Sequence, residues 1–483
     1  MNTGEFKTIH GMIKQDGHQI LFTSDGFKFC FYQLERGTLS TDDMRLYNKT
    51  LVKLIPNDDG YVFGITSDRK GIAIYIKNEI IIYDSREVNT WNYIITKGVL
   101  DVEIIDETAL QFNSIRFTNG SLRSVVPCAA LKEDNDSEKL LEINDAGVPL
   151  VYRMKNDSVT FATYCDDEKE LWTFGSSVNK NYSVYSGYQL SNSLAVARID
   201  FDENHTLGTF YDYYGYISTL VSFLMFRKNI CFETIELLRG QPDHDLVTVA
   251  ECYVKTNVDI KKMKLFNVPE REGGSLRNFV EVLSVPMLSE DSFRTIMECI
   301  VMKDAKHVDV PTLIIPIDES DAFLFSADKI RSMCTALEVE MDASHICAEP
   351  EDNLLTLVDI VKEQVKEHRN GKDRLLDKTY DIIFQSISHW GASLADRLIK
   401  AWHENRVYFE KWLVYRGISI TDDDLKELIK ARNNYTHKGF SEVNENLANT
   451  TYVVRGLIYV LALKRMRIKD DYIRELISRG FLG

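Results

Sequence analysis

Residues 421–439 read TDDDLKELIKARNNYTHKG, and this stretch decides how the C-terminal part of the chain folds. Thr421 is followed by three aspartates, which is typical of a helix start. A hydroxyl caps the first backbone amides, and acidic side chains favour the positive end of the helix. The apolar residues that follow recur at helical spacing: Leu425, Leu428, Ile429. Gly439 is a common residue just beyond a helix end, so the stretch predicts a capped amphipathic helix.

Helical spacing extends to both sides of this stretch. Apolar residues recur every three or four positions from residue 375 to residue 402, and a long helix is predicted from Tyr452 to Arg467. Several helices of moderate length with short connections form a bundle. We therefore predict an all-α helical bundle over residues 371–483.

The preceding sequence has a different character. Residues 1–275 are rich in β-branched and aromatic runs punctuated by turn signals such as Asp25-Gly26, which favours a β-rich region with a sandwich or barrel-like sheet. A charged Pro/Gly stretch at residues 269–275 marks its end, and residues 276–370 read as a mixed connecting region. The predicted fold class is α+β multidomain. We assign no function to the tyrosine cluster at residues 211–216.

Charge is distributed unevenly along the chain. Residues 371–483 hold 19 Lys and Arg against 15 Asp and Glu, a balance of +4, whereas the whole chain carries −16. The first 370 residues therefore carry −20. An acidic region repels nucleic acid, but the C-terminal module tolerates it. The alternative is that surface acids simply happen to lie early in the chain.

The sequence also predicts the cellular setting. The eight cysteines are scattered without a Cys-x-x-Cys pair, so neither a disulfide framework nor a zinc site is expected. The N-terminus lacks the pattern of a signal peptide, and no apolar run is long enough to span a bilayer. We expect a cytoplasmic protein that does not associate with a membrane.

The residues that carry chemistry lie at the end of the predicted helix: Arg432, Asn433, His437. Arginine binds phosphate with a fork of donors and keeps its charge, while histidine titrates near neutral pH and can move a proton. Residues five apart on an ideal helix lie roughly 140° apart in azimuth. Either the helix unwinds before His437, or another subunit completes the site.

The spacing by itself is weak evidence, because Arg397 and His403 also satisfy it. That second pair lies within an amphipathic helix and has the apolar Leu398 directly after the arginine, so we interpret it as structural. Asn433 and the capped helix start distinguish the first pair. The competing interpretation of Arg432 and His437 is an Arg and a His on a solvated helix end.

Candidate RNA contacts are basic residues close to the motif and in the last long helix: Lys438, Arg455, Lys464, Arg465, Arg467. The last three lie late in that helix, and Arg455 lies about two to three turns earlier. A helix end rich in Lys and Arg is an equally ordinary explanation of this cluster. The chain has no glycine-rich phosphate loop and no nucleotidyltransferase signature, and we expect no cofactor and no metal.

At these residues the chain resembles the HEPN superfamily, whose motif is Arg-x(4–6)-His at the end of a helix in a bundle. A larger β-containing region before such a bundle resembles the ApeA-like proteins of bacterial anti-phage defence. The resemblance implies a metal-independent endoribonuclease that acts as a homodimer with a composite active site. Arg432 and His437 would be catalytic and Asn433 supporting, and the products would carry 2′,3′-cyclic phosphate and 5′-hydroxyl ends. The N-terminal region would respond to a phage-derived trigger in abortive infection.

Two alternatives remain open. The bundle could be a non-catalytic adaptor that binds RNA or dimerises. A metal-dependent hydrolase could use the acidic turn at residues 318–321, although the sequence lacks a clear ligand cluster around that turn.

Overall fold

The computed structural model shows an α+β protein, with an antiparallel sheet in the N-terminal half and helices in the C-terminal half. It confirms the predicted α+β class. The structure describes the following residues: 8–33, 52–83, 85–100, 106–118, 120–125, 150–153, 160–165, 195–240, 246–255, 283, 287–301, 314–315, 326–346, 352–372, 374–388, 393–437 and 444–478. The boundary stretch at residues 269–275 and the acidic turn at residues 318–321 lie outside them.

The chain divides into two compact units. The first comprises residues 1–225, 229–279 and 284–286, and the second comprises residues 226–228, 280–283 and 287–483. The second unit therefore includes helices that precede residue 371, where the predicted bundle begins. None of the helices in the described ranges is both long and apolar enough to cross a membrane.

The first unit is built on antiparallel strands. Within the described residues these are β1 (Ile9–Gln15), β2 (His18–Asp25), β3 (Lys28–Gln33), β4 (Val52–Leu54), β5 (Tyr61–Thr66), β6 (Gly71–Tyr75), β7 (Ile80–Ile82), β8 (Ser85–Asn89), β9 (Asn92–Thr96), β10 (Phe112–Thr118), β11 (Leu150–Arg153), β12 (Thr160–Cys165), β13 (Ala195–His205), β14 (Thr234–Arg239) and β15 (Val247–Val254). A 3-10 turn, Glu107–Leu110, precedes β10.

Thirteen of these strands form one sheet, in the order β11-β12-β13-β10-β14-β15-β9-β6-β5-β1-β2-β3-β8. Strands β4 and β7 form a separate pair. The hydrogen-bonded order runs from β11 to β8 without returning on itself, so the described strands do not close into the barrel that the sequence suggested as one option. The predicted turn at Asp25-Gly26 joins β2 to β3, with Gly26 at φ 59°.

The core of this unit forms because alternate residues of the strands face one side of the sheet. Phe22, Phe29 and Phe31 are fully buried on adjacent strands, and their rings lie within contact distance of one another. The β4–β7 pair contributes Val52, Leu54 and Ile82 to the same core. Burial of large aromatic side chains is the main stabilising term of such a sheet.

Among its described residues, the first unit also has two helices: α1 (Leu122–Val125) and α2 (Leu207–Met225). Helix α2 contains the tyrosine cluster, in a region predicted to be mainly β-rich. Its apolar residues are buried at helical spacing, for example at Phe210, Tyr213 and Ile217, so packing outweighs the β-preference of the aromatic residues. An Asp59 carboxylate oxygen accepts from the Gly208 amide in the first turn, at 3.0 Å.

The second unit is helical. Its described helices are α3 (Glu290–Val301), α4 (Ala327–Ala343), α5 (Asp352–Arg369), α6 (Asp377–Ser388), α7 (Leu394–Asn405), α8 (Glu410–Arg416), α9 (Asp422–His437), α10 (Glu445–Arg465) and α11 (Asp470–Leu476). A 3-10 turn, Arg406–Tyr408, joins α7 to the segment before α8. Helix α10 is buried almost all round, including the run from Val453 to Leu463, and it is the central element of the bundle together with α4.

Candidate active site

Helix α9 begins as the sequence predicts. The Asp424 amide donates to Thr421 Oγ1 at 3.3 Å, and the Thr421 amide donates to Asp424 Oδ2 at 2.8 Å. This reciprocal pair is a capping box, which satisfies two backbone donors at a helix start. The acids of the first turn also lie at the positive end of the helix dipole. Local side chains therefore fix where the helix that carries the motif begins.

The buried face of α9 determines which motif residues reach the surface. Leu425, Leu428 and Tyr435 are buried against the bundle. Arg432 follows Leu425 and Leu428 at helical spacing, so it lies on this same face, where its side chain is half-buried. Asn433 points away from the apolar face and is exposed. The amphipathic pattern of α9 thus presents Asn433 to solvent, whereas the guanidinium of Arg432 is only partly accessible.

The guanidinium of Arg432 is held by two acceptors. Its Nη1 donates to Asn433 Oδ1 at 3.1 Å, and its Nη2 donates to Glu338 Oε1 on α4, also at 3.1 Å. The side chains of Arg432 and Glu338 are 31% and 38% exposed, so solvent reaches both charges. The residue directly after the arginine in the motif therefore contacts the arginine itself.

Helix α9 continues through His437. Of the two options that the sequence left open, unwinding before His437 is excluded, because the backbone keeps its helical conformation to that residue. On a regular helix, Arg432 and His437 then lie about 140° apart. The side chain of His437 and the whole of Lys438 lie outside the described residues.

A buried thiol lies next to the Arg432–Glu338 pair. Cys334 is one turn before Glu338 on α4 and is fully buried. Burial raises the pKa of the Cys334 thiol to about 12, with the nearby Arg432 charge acting in the opposite direction. The thiol thus remains protonated at neutral pH, and it is not a candidate nucleophile.

Helix α4 connects to three other helices through acid–arginine pairs. Glu338 binds Arg432 on α9, Glu340 binds Arg465 on α10, and Asp342 binds Arg397 on α7. The sequence provides no local signal for these pairs, because the Glu338–Arg432 contact joins residues 94 positions apart. The sequence therefore did not predict that Glu338 contacts Arg432 at the candidate site.

The candidate RNA contacts of α10 differ in their surroundings. Arg465 donates to both carboxylate oxygens of the fully buried Glu340, at 2.8 and 2.9 Å, and also to the Cys299 sulfur. A buried charge pair of this kind ties two helices together. Arg455 is buried as well, with 9% of the residue exposed.

Lys464 and Arg467 are exposed. The Lys464 ammonium donates to Asn405 Oδ1 at 2.9 Å and lies 5.7 Å from the centroid of the Tyr408 ring. The Arg467 carbonyl accepts from the Ser292 hydroxyl at 3.0 Å. Of the described candidates, these two present charge to solvent, whereas Arg455 and Arg465 are enclosed by the bundle.

The second Arg–His pair has structural contacts. Arg397 Nε donates to the Ile346 carbonyl at 3.0 Å, and its Nη2 pairs with Asp342. His403 Nε2 lies 3.0 Å from Asp422 Oδ1 at the start of α9. These contacts join α7 to the end of α4 and to α9, in agreement with the structural interpretation of this pair.

The helix start does not distinguish the two pairs. Helix α7 also begins with a capping box, between Ser393 and Asp396. Of the two features expected to discriminate, the capped start is therefore common to both helices. What remains is the residue after the arginine: Asn433 is exposed, whereas Leu398 is fully buried.

No model of a known protein family matches this chain, and neither a curated protein nor a solved structure matches it. The resemblance to HEPN and ApeA-like proteins therefore rests on the motif residues and on the helices around them. Within the described residues, no group of three or more His, Cys, Asp or Glu side chains has a metal-binding arrangement.

Proposed function

We propose that the helical unit is a metal-independent endoribonuclease in which Arg432, Asn433 and His437 form the reacting part of the site. The observation that carries this proposal is the placement of Arg432. Its guanidinium is oriented by Asn433 at a solvent-accessible position, on a helix that ends at His437. A planar cation held in this way is suited to bind a phosphodiester through paired donors.

The chemistry requires only a cation and a proton carrier. A ribose 2′-hydroxyl gives up its proton as its oxygen bonds to the adjacent phosphorus. The bond from phosphorus to the 5′-oxygen breaks, and that oxygen receives a proton. His437 moves one of these protons and water moves the other, while Arg432 stabilises the negative charge that builds on the phosphate oxygens. The products carry 2′,3′-cyclic phosphate and 5′-hydroxyl ends.

The active form in this proposal is a homodimer with composite sites. Because α9 stays helical through His437, Arg432 and His437 of one chain diverge in azimuth. A second copy of the chain supplies the complementary residue, so that each site combines Arg432 of one protomer with His437 of the other.

The biological setting of the proposal is cytoplasmic anti-phage defence by abortive infection. The first 370 residues carry a charge of −20 and would repel RNA, whereas the +4 balance of residues 371–483 is compatible with it. Residues 287–370 belong to the helical unit and carry −10 of this charge, so the balance favours only the C-terminal segment as the part that binds RNA. The β-rich unit would respond to a phage-derived trigger.

The direct test uses total RNA in EDTA with wild-type protein, Arg432→Ala and His437→Ala. We expect cleavage by the wild type and a loss of about 10³-fold in each variant, the usual scale for a general acid–base or an oxyanion-stabilising group. His403→Ala is the matched control, since it removes a histidine from the other Arg–His pair. Cleavage that persists undiminished in both variants would refute the mechanism, as would a strict need for a divalent metal.

Mixing the two inactive variants tests the composite site. If protomers exchange, half of the dimers contain one copy of each variant, and one of the two sites in such a dimer is complete. Activity should then recover to about a quarter of the wild-type value. If each site is instead contained within one chain, the mixture stays as inactive as its components.

An exposed apolar surface on α8 supports the alternative of a non-catalytic adaptor. Val414 and Tyr415 are 82% and 84% exposed, and exposed large apolar side chains often mark association surfaces. An adaptor would bind RNA or a partner equally well with His437→Ala and would release no RNA fragments. RNA binding together with product analysis of the same variant separates the two functions.

A further inference from the structure

The Glu338 carboxylate extends the candidate site beyond the motif. Glu338 lies on α4, outside the segment 371–483 that carries the resemblance, and accepts from Arg432 Nη2 at 3.1 Å. We propose that Glu338 is a positioning residue of the ribonuclease site, which holds the Arg432 guanidinium in the orientation that receives the scissile phosphate. This inference rests on the proposed function.

The geometry explains why two anchors matter. Asn433 binds Nη1 and Glu338 binds Nη2, so one acceptor from α9 itself and one from α4 hold the two ends of the planar group. One hydrogen bond would leave the guanidinium able to rotate about that contact. Two bonds to different helices define both its plane and its direction. Pre-ordering of a long side chain removes an entropic cost that would otherwise add to the barrier of the reaction.

The charge of Glu338 gives this role a kinetic signature. A carboxylate beside the phosphate position repels the RNA backbone in the ground state and in the transition state, so it weakens binding. The orientation that Glu338 gives to Arg432 mainly affects kcat, because small displacements of a catalytic group strongly slow the reaction step. Removal of Glu338 should therefore lower kcat while it lowers KM or leaves it unchanged.

Helix α4 provides a matched control for this test. Asp342, one turn beyond Glu338, makes the same kind of acid–arginine pair, but with Arg397 of the structural pair. Asp342→Ala removes a helix-to-helix contact of similar chemistry without touching Arg432. It should change kcat by less than about twofold and leave KM unchanged.

The experiment measures kcat and KM for RNA cleavage in EDTA with the wild type, Glu338→Ala, Glu338→Gln and Asp342→Ala. We expect kcat to fall by about 10- to 100-fold in Glu338→Ala and by less in Glu338→Gln, which keeps an acceptor oxygen. Affinity for a 2′-O-methylated RNA, which lacks the attacking hydroxyl, should rise in both Glu338 variants. If Glu338→Ala fails to fold, Glu338→Gln carries the test, since it preserves the size of the side chain.

The outcomes separate the inference from the proposed function. If the wild type does not cleave RNA in EDTA, the proposed function fails and the inference falls with it. If the wild type cleaves and the Glu338 variants match it in both kcat and KM, the inference alone is overturned. A rise in kcat would also overturn it, because Glu338 would then restrain Arg432. A loss of kcat equal to that of Asp342→Ala, with unchanged KM and RNA affinity, would mean that Glu338 serves only the packing of the bundle.

Discussion

The two Arg–His pairs of the helical unit have nearly the same spacing but different surroundings. Arg397 is fixed by the Ile346 carbonyl and Asp342, and His403 contacts Asp422, so both residues join helices. Arg432 also joins its helix to α4, through the half-exposed Glu338, but its other acceptor is the adjacent Asn433 on its own helix. The spacing of the charged residues therefore does not determine what surrounds the pair.

The two pairs differ in the residue that follows the arginine in the sequence. Both helices start with a capping box, and both arginines pair with an acid of α4. The residue after the arginine differs: Leu398 is buried in the bundle, and Asn433 is exposed and binds the guanidinium. A polar second residue provides an acceptor for the guanidinium that an apolar residue cannot provide.

The largest expected effect is on RNA cleavage. Arg432→Ala should lower the rate by about 10³-fold, because the charge on the reacting phosphate loses its cation. Arg397→Ala should change the rate of the folded protein by less than about twofold. Initial rates on one RNA substrate, normalised to folded protein, check this. Equal losses from both substitutions would remove the functional distinction between the pairs.

For the free energy of unfolding we expect the opposite order, with a larger loss in Arg397→Ala than in Arg432→Ala. Arg397→Ala deletes two contacts of a side chain that is only 20% exposed, and it should lower the free energy of unfolding by about 2 kcal/mol. The Arg432 side chain is more exposed, at 31%, so Arg432→Ala should cost less than about 1 kcal/mol. Urea unfolding of both variants measures the difference. A larger loss from Arg432→Ala would assign that arginine to packing.

A smaller effect is expected when the second motif residue is changed to match the other pair. Asn433→Leu reproduces the Arg-Leu order of Arg397 and Leu398 and removes the acceptor for Arg432 Nη1. We expect cleavage to fall by about tenfold, because the guanidinium keeps Glu338 but loses its second anchor. Asn433→Asp, which retains an acceptor, is the control. Wild-type rates for Asn433→Leu would exclude an orienting role.

The smallest effect concerns the two helix starts. Thr421→Ala and Ser393→Ala each remove a capping side chain, and each should lower the free energy of unfolding by about 1 kcal/mol. Similar values for the two variants would show that capping serves folding equally in both helices. A selective loss of cleavage in Thr421→Ala, at unchanged stability, would instead connect the cap to the site.

Local features of the fold could be predicted from the sequence. The start of α9 follows from Thr421 and Asp424, and the β2–β3 turn follows from Asp25-Gly26, because short-range chemistry determines both. The division into a β-rich part and a helical part follows from run length and spacing. The helix at residues 207–225 was harder to predict, since its aromatic residues favour strands and only packing decides the outcome.

Long-range features could not be predicted in this way. The strand order places β9 beside β15 and β10 beside β13 and β14, and no local pattern encodes such pairings. The same holds for Glu338, one of several acids on α4, whose contact with Arg432 depends on how two helices pack. Sequence therefore identified the polar residues of the motif but missed the carboxylate that faces them.

The three acid–arginine pairs of α4 limit how this chain can be shortened. A fragment cut at residue 371 keeps Arg397, Arg432 and Arg465 but loses all three carboxylates. Arg465 would then sit in the bundle without Glu340, and an uncompensated buried charge costs several kcal/mol. Grafting the C-terminal bundle onto another protein should therefore fail unless α4 is transferred with it. The smallest transferable unit begins before residue 327.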